Sequence, residues 1–393
     1  MKILIVHNAY KHAGGEDTVV AQEAELLLAN GHDVRLYLRS NKELDSLSTL
    51  GQLALPWRAF HGGSNLDALR DIMRTWRPDI AHIHNTFVRI TPEVYRICAA
   101  FHVPVVQTLH NYRLFCPRGD FYRNGVCEDC MGKKFAWPGI VHACYRGSRL
   151  QTAAMAALIA GHRLLSLWET DVSICIACTE FARRKFIEGG LAPEKIVVKP
   201  NFVAPDPGVG DHEGGYFLFV GRFWPEKRIE TLLRAWKLLE GPRLNLVGAG
   251  ASEGTIKELL ARFGQIDNVH WLGFQSRTDV LRLIKAALCL VFPSEWYEGF
   301  PMVIAESLAC GVPVIAARMG AMQEIVTDRV TGVHFIPGDP EDLAAKVRWV
   351  NDHPYEAVRM GRNARKEFES KYNAMLNYQL LLDIYQTAIE RNG

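Results

Sequence analysis

Glu298 and Glu306 stand eight positions apart in the run Ser294-Glu-Trp-Tyr-Glu-Gly-Phe-Pro-Met-Val-Ile-Ala-Glu306. An apolar run, Ala287 to Phe292, precedes them and reads as a buried strand. A helix follows, closed by Ala309-Cys-Gly311. The first carboxylate falls in the loop at the mouth of that helix, and the second one to two turns inside it. Gly299, Phe300, Pro301 and Met302 form the mouth, where backbone N–H groups at a helix N-terminus suit a phosphate. A carboxylate can hold the hydroxyls of a polyol while its phosphate rests on those amides. The pattern suits a nucleotide sugar, with one glutamate near the sugar and the other near the ribose. Acidic residues also gather at helix starts because the dipole favours them. Gly299 and Pro301, at a helix start directly after a strand, favour a site.

Cations stand where such a ligand would need them. After the apolar run Tyr216 to Val220 comes Gly221-Arg-Phe-Trp-Pro-Glu-Lys-Arg228. Arg222 offers a fork and Lys227 a point charge, both suited to a diphosphate. Nearer the N-terminus, Gly14-Gly15 follows the first strand, where glycine lets the backbone approach a ligand closely. His110 ends the strand Val103 to Leu109. His7 and His84 also lie near strand ends and are read as structural. Gly248-Ala-Gly250-Ala-Ser-Glu-Gly254 follows a strand and only partly resembles a dinucleotide fingerprint.

A second constellation is metal-like. Cys116, Cys127, Cys130 and Cys144 are spaced Cys-x10-Cys-x2-Cys-x13-Cys. The Cys-x2-Cys knuckle can aim two thiolates at one ion, and Arg123-Asn-Gly125 before it suits a tight turn. Four thiolates imply a closed, structural Zn²⁺ site, with His142 able to replace one ligand; four free thiols are the alternative. Cys175 and Cys178, three apart in an apparent strand, point to opposite faces and read as core.

The elements that must position these groups alternate short apolar runs with helical stretches. This pattern predicts α/β architecture with parallel sheets covered on both faces. The first set of strands comprises Lys2–Val6, Asp33–Leu38, Asp79–His84, Val103–Leu109, Val172–Cys178 and Ile196–Lys199, with a helix over Thr18 to Asn30. A Pro- and Gly-rich stretch, 205–215, reads as a linker. The pattern restarts at Tyr216 and runs to 373, and a last helix over 374–393 is expected to pack back toward the first domain. The domains are thus 1–204, with a cysteine-bearing insertion over 112–149, and 216–373. A length of 393 residues suits two cores. Ligands of two such sheets bind beyond the carboxyl ends of the strands, in a cleft.

The glutamate run resembles the Glu-x7-Glu motif of the retaining glycosyltransferases of family 4, which have the GT-B fold. Gly221-Arg-x4-Lys227 is similar to that family's cation motif. Gly14-Gly15 and His110 match its glycine pair and strand-end histidine. The resemblance implies two Rossmann-like domains facing a central cleft and transfer with retained configuration. Arg222 and Lys227 would stabilise the departing nucleotide diphosphate, and His110 would face the donor sugar. Glu298 would lie near that sugar and Glu306 would hold the ribose. The loops at Gly250 and Gly273-Phe274 would border the base. No catalytic metal is implied. The insertion from Cys116 to Cys144 departs from the family pattern and follows His110, so it is expected where an acceptor enters.

A dinucleotide-dependent oxidoreductase needs a glycine fingerprint after the first strand, which Lys11-His-Ala-Gly-Gly-Glu does not supply. A non-catalytic nucleotide-sugar binder is opposed by the intact Arg222, Lys227, Glu298 and Glu306. The resemblance implies a UDP-, GDP- or ADP-sugar donor without specifying which, and the acceptor is expected to be a saccharide or lipid-linked saccharide of envelope or exopolysaccharide synthesis. With a net charge of +2 the chain gives no global signal for nucleic acid. Arg113 to Arg149 nonetheless carries seven Lys/Arg against three acids. Phe115, Phe121, Tyr122, Phe135, Trp137 and Tyr145 are interleaved there, beside the apolar stretch Leu150 to Trp168. That composition suits an anionic membrane surface. No signal peptide or spanning run is read, so the expected location is cytoplasmic, at the inner face of a membrane.

Overall fold

A computed structural model of the chain describes residues 1–9, 14–41, 66–87, 89–248, 250 and 253–392. Lys11 to Ala13, and Ala249, Ala251 and Ser252 of the glycine-bearing loop, lie outside the described residues. Two six-stranded sheets form, and every ladder in both is parallel.

The first sheet contains β1 (Lys2–Ala9), β2 (Asp33–Ser40), β3 (Ile80–Asn85), β4 (Val105–Leu109), β5 (Ile174–Ala177) and β6 (Ile196–Val198), in the order β2-β1-β3-β4-β5-β6. The second contains β7 (Tyr216–Val220), β8 (Arg243–Val247), β9 (Val269–Trp271), β10 (Cys289–Phe292), β11 (Val314–Ala317) and β12 (Gly332–Phe335), in the order β12-β11-β10-β7-β8-β9. Central strands such as β3 and β10 are buried along their whole length, as helices on both faces require.

Prolines set the start of two strands. β4 begins at Val105 and β11 at Val314, each directly after a proline. A proline has no N–H for a ladder, so it stands outside the strand. The first helix starts earlier, at Gly15 rather than Thr18. The Asp17 carboxylate takes the Gly14 N–H at 2.8 Å, which ties off the helix entry.

The described chain divides into two compact units. One comprises Met1–Phe121, Cys127–Asn201 and Met375–Gly393; the other comprises Tyr122–Val126 and Phe202–Ala374. In the first unit, Leu381, Ile384, Tyr385 and Ala388 of the last helix pack in one cluster with Ile3, Ile5, Ile80 and Val106 of the sheet. The stretch expected as a linker is not a free joint. The N–H groups of Gly210, His212 and Gly214 donate to the carbonyls of Cys310, Lys285 and Ala286, and Asp206 forms a two-pronged pair with Arg365. A Cβ on Gly210 would lie 2.1 Å from the Lys285 carbonyl oxygen, so glycine is needed for that approach. The stretch reads as a linker because it has no apolar period, yet its backbone is bonded along the second unit.

Candidate functional site

In the second unit the strand order reverses between β10 and β7, and at such a switch point the loops diverge and leave a crevice. Lys227 follows β7 and Glu298 follows β10. Their side chains meet, Lys227 Nζ donating to Glu298 Oε1. The same oxygen accepts from Ser294 Oγ and Trp296 Nε1, each at 2.8 Å. The ammonium also lies over the rings of Phe292 and Trp296, at 4.9 and 5.6 Å from their centroids. Glu298 is 7 % exposed, so a buried carboxylate is held by one cation and two neutral donors.

Arg222 is exposed on the same loop. Beside the pair, Arg228 Nε donates to the buried Glu295 Oε2 at 2.6 Å. This second pair is not foreseen from the sequence, where Glu295 carries no motif of its own. Arg228 has φ +52, a left-handed backbone in the turn that presents Lys227.

Met302–Ala309 is the helix that carries Glu306, and Pro301 caps it without a side-chain hydrogen bond. The Ile304 N–H donates to the Pro301 carbonyl, and with no side-chain cap the N–H groups of Met302 and Val303 suit a ligand or water. Gly299 and Phe300 are partly buried at this mouth, Phe300 lying edge-on to Tyr372. Glu306 is buried, and burial pushes its carboxyl above the ordinary range against the pull of Arg277, 3.4 Å away. Gly248 is required by packing, because a Cβ there would lie 1.9 Å from the Gly221 carbonyl oxygen. Gly250 packs near Phe223, while Phe274 is largely exposed.

In the first unit three adjacent strands, β1, β3 and β4, bring His7, His84 and His110 to one end of the sheet. His84 Nδ1 and His110 Nε2 are 3.0 Å apart. His7 Nε2 meets Asp17 Oδ1 at 2.9 Å, on the helix that Gly14 and Gly15 open. Among the described residues, an added Cβ on Gly14 would meet nothing within 4 Å. Behind the histidines, Glu23 and Lys199 form a buried pair at 2.6 Å.

The insertion forms the expected turn: Arg123 N–H donates to the Gly125 carbonyl, with Asn124 and Gly125 at positive φ. Cys130 is buried, and burial first, with the neighbouring thiols of Cys116, Cys144 and Cys127, pushes its own thiol up to about 11. Among the described residues, no three of the four thiols lie within 4.8 Å of one another. Among the described residues, the set of three or more His, Cys, Asp or Glu groups with all ligand atoms within 4.8 Å is Glu23, His82 and His84. His142 is exposed beside Cys144. Cys175 and Cys178 are buried.

The membrane-facing set needs a correction. Phe115, Phe121 and Tyr122 are core residues; Phe121 stacks near Tyr112, and Phe115 packs on Phe186. Phe135 and Trp137 are the exposed pair, and Tyr145 turns inward against Phe87. Among the described residues no helix is long and apolar enough to cross a membrane.

The two parallel sheets and the paired motifs define a class of protein, and the comparisons agree. The family model for glycosyl transferases group 1 matches residues 208–367, and that for the glycosyl transferase 4-like domain matches residues 14–201. The chain belongs to this glycosyltransferase family, the GT4 type, with the GT-B fold. It is 33% identical over 190 residues to an uncharacterized glycosyltransferase of Methanocaldococcus jannaschii, covering 47% of this chain and 48% of that one. To glycogen synthase of Mycobacterium tuberculosis it is 25% identical, covering 76% and 66%. These matches span about half to two thirds of the relatives' lengths. Anabaena HepE, solved in complex with UDP, superposes with a TM-score of 0.70 at 18% identity, covering 98% of this chain and all of that one.

Proposed function

We propose that the chain is a retaining glycosyltransferase that moves a sugar from a nucleotide-sugar donor to a saccharide or lipid-linked saccharide acceptor. The observation that carries this reading is the Lys227–Glu298 pair at the switch point of the second sheet, with the uncapped helix of Glu306 beside it. Lys227 and Arg222 stabilise the diphosphate as it departs, because fixed cations act where charge develops. Glu306 binds the ribose hydroxyls. Glu298 lies near the donor sugar in the second unit; in the first unit His110 is the donor-side histidine, and Gly14 leaves room beside it among the described residues. That HepE was solved with UDP supports a uridine donor first.

A panel of UDP-, GDP- and ADP-sugars, with products read by mass spectrometry and their anomeric configuration by NMR, tests the reading. An inverted product would refute retention. Donor binding with neither transfer nor hydrolysis would make the protein a non-catalytic binder.

The insertion is read as a structural zinc module whose four cysteines close on the ion when it binds. Burial raises the thiol pKa of Cys116 and Cys130, and a Zn²⁺ would reverse this, since it binds thiolates. Metal analysis of protein purified without added zinc should find about one Zn per chain, lost in Cys127→Ser/Cys130→Ser. Metal-free protein with four alkylatable thiols would refute the module. Lys133, Lys134, Phe135, Trp137 and Leu150 are exposed near one another in the sequence and would meet an anionic bilayer. Equal flotation with anionic and neutral vesicles would refute that part.

A further inference from the structure

His110 is the outer end of a buried series of hydrogen-bonding groups, and the series has a direction. It starts at Glu23, which is fully buried. Oε1 of Glu23 takes the Lys199 ammonium at 2.6 Å. Oε2 faces His84 Nε2 at 3.3 Å, and among the described residues neither atom has another hydrogen-bond partner. Burial alone would raise the Glu23 pKa, but Lys199, His84 and His82 outweigh it and hold the carboxyl well below its usual range. A buried carboxylate oxygen without a donor is costly. A proton on His84 Nε2 satisfies both atoms at once.

The rest follows from the valence of a neutral imidazole, which has one donor and one acceptor nitrogen. Burial holds the His84 pKa down, so its ring carries that single proton. His84 Nδ1 must then accept, and the group 3.0 Å away is His110 Nε2. His110 therefore donates through Nε2. Burial and the neighbouring His84 hold its pKa well below the usual value, so its ring is neutral as well.

We propose that Glu23 and His84 are positioning residues that fix the tautomer of His110, leaving its Nδ1 as a hydrogen-bond acceptor for the donor sugar. The inference rests on the donor-side reading of His110 and adds a specificity to it. An acceptor nitrogen takes a hydroxyl and rejects a carboxylate, so the sugar group facing His110 is a hydroxyl. The other groups facing the two rings are His7, held by Asp17, His82, and Lys199. His82 is engaged by Tyr385 Oη and Thr108 Oγ1, at 2.8 and 2.7 Å. The Glu23, His82 and His84 ligand atoms would also fit around an ion. Lys199 already neutralises Glu23, however, so the set orders protons instead.

NMR of the full-length protein with ¹⁵N-labelled histidine tests this, His110 being assigned by His110→Gln. The expected spectrum of the ligand-free wild type has His110 Nε2 protonated and Nδ1 bare, unchanged between about pH 6 and 8. Glu23→Gln with Lys199→Met removes both charges together, so no ammonium is left buried alone. In that variant His84 is free to protonate on either nitrogen. The His110 Nδ1 signal should move toward the protonated value, with roughly a tenfold loss of kcat/KM, the worth of one hydrogen bond. A wild-type His110 protonated on Nδ1 or on both nitrogens would overturn the proposal, as would an unaltered His110 spectrum in the double variant. The spectrum is read without ligand, so it fails or stands apart from glycosyl transfer itself. The expected spectrum with no turnover of any donor would instead overturn the assignment to the sugar.

Discussion

Lys227→Met removes the cation that Glu298 holds, and it separates the structural worth of the pair from its catalytic worth. After the change Glu298 Oε1 keeps Ser294 Oγ and Trp296 Nε1, each at 2.8 Å, but loses the counter-charge that Lys227 supplies. Breaking a fully buried pair costs roughly 3–5 kcal/mol. Here the side chains keep 13 % and 8 % exposure, so the lower end, about 3 kcal/mol, is expected. For a unit of this size that lowers Tm by roughly 6–12 °C. Lys227→Met/Glu298→Gln removes both charges and should recover most of the loss. Turnover should not recover. If the ammonium stabilises the departing diphosphate, kcat falls on the order of 10²–10³-fold in the single variant and stays low in the double. Calorimetric unfolding and steady-state kinetics on the donor found by the panel read both quantities. A double variant with wild-type kcat would refute the catalytic role, as would a rise in KM with kcat untouched.

Glu306→Ala should weaken donor binding by about 1.5–3 kcal/mol, the loss of a charged hydrogen bond. Its partner Arg277 is 40 % exposed and can turn to water, so the fold should hold; unchanged donor affinity by calorimetry would sink the ribose assignment. Gly14→Ala should leave Tm unchanged, because among the described residues the added methyl group meets no atom and the backbone there is extended. Its kcat/KM should fall, and a fully active variant would show that no ligand fills the space. The first unit should lose stability on acidification. His82, His84 and His110 have folded pKa values below the ordinary 6.5, so the unfolded chain binds protons that the folded one refuses. Their contribution is full above 6.5 and declines below it, by about 1.4 kcal/mol per pH unit for each group until its folded pKa is reached. Glu23, also depressed, adds to the loss below its ordinary 4.5. A Tm for this unit that stays flat from about pH 7.5 to 5 would contradict the buried neutral histidines.

The second unit's site was legible because its residues sit in two short runs, each tied to a strand end. Gly221 to Arg228 and Ser294 to Glu306 both follow apolar strands, and parallel-sheet topology then brings the two loops together. What no spacing announces is that Lys227 and Glu298 touch, or that Glu295 binds Arg228, since those contacts depend on which strands become neighbours. The loop at Gly248 shows the opposite failure. It looks like part of a ligand fingerprint, yet the glycine is demanded by the Gly221 carbonyl. Likewise, aromatics and cations between Arg113 and Arg149 share one composition. Local sequence does not say that Phe115 and Phe121 turn inward while Trp137 stays out.

The first unit's interior was illegible for a stronger reason. Glu23 lies mid-helix and reads as one more polar position, while Lys199 follows a three-residue strand 176 positions later. Asn377, which accepts from Lys199 at 3.0 Å and donates to the Pro200 carbonyl, comes from the last helix. Three segments must meet before any of these groups has a partner. Taken singly, each is a charged or polar residue that belongs on a surface. Their burial makes sense only together: the ammonium neutralises the carboxylate, the amide completes the ammonium, and the second carboxylate oxygen is left to order the histidines. Such a cluster adds little net stability over an apolar core of the same volume. Its presence beneath His84 and His110 is therefore better explained by what it does to those rings than by what it adds to the fold.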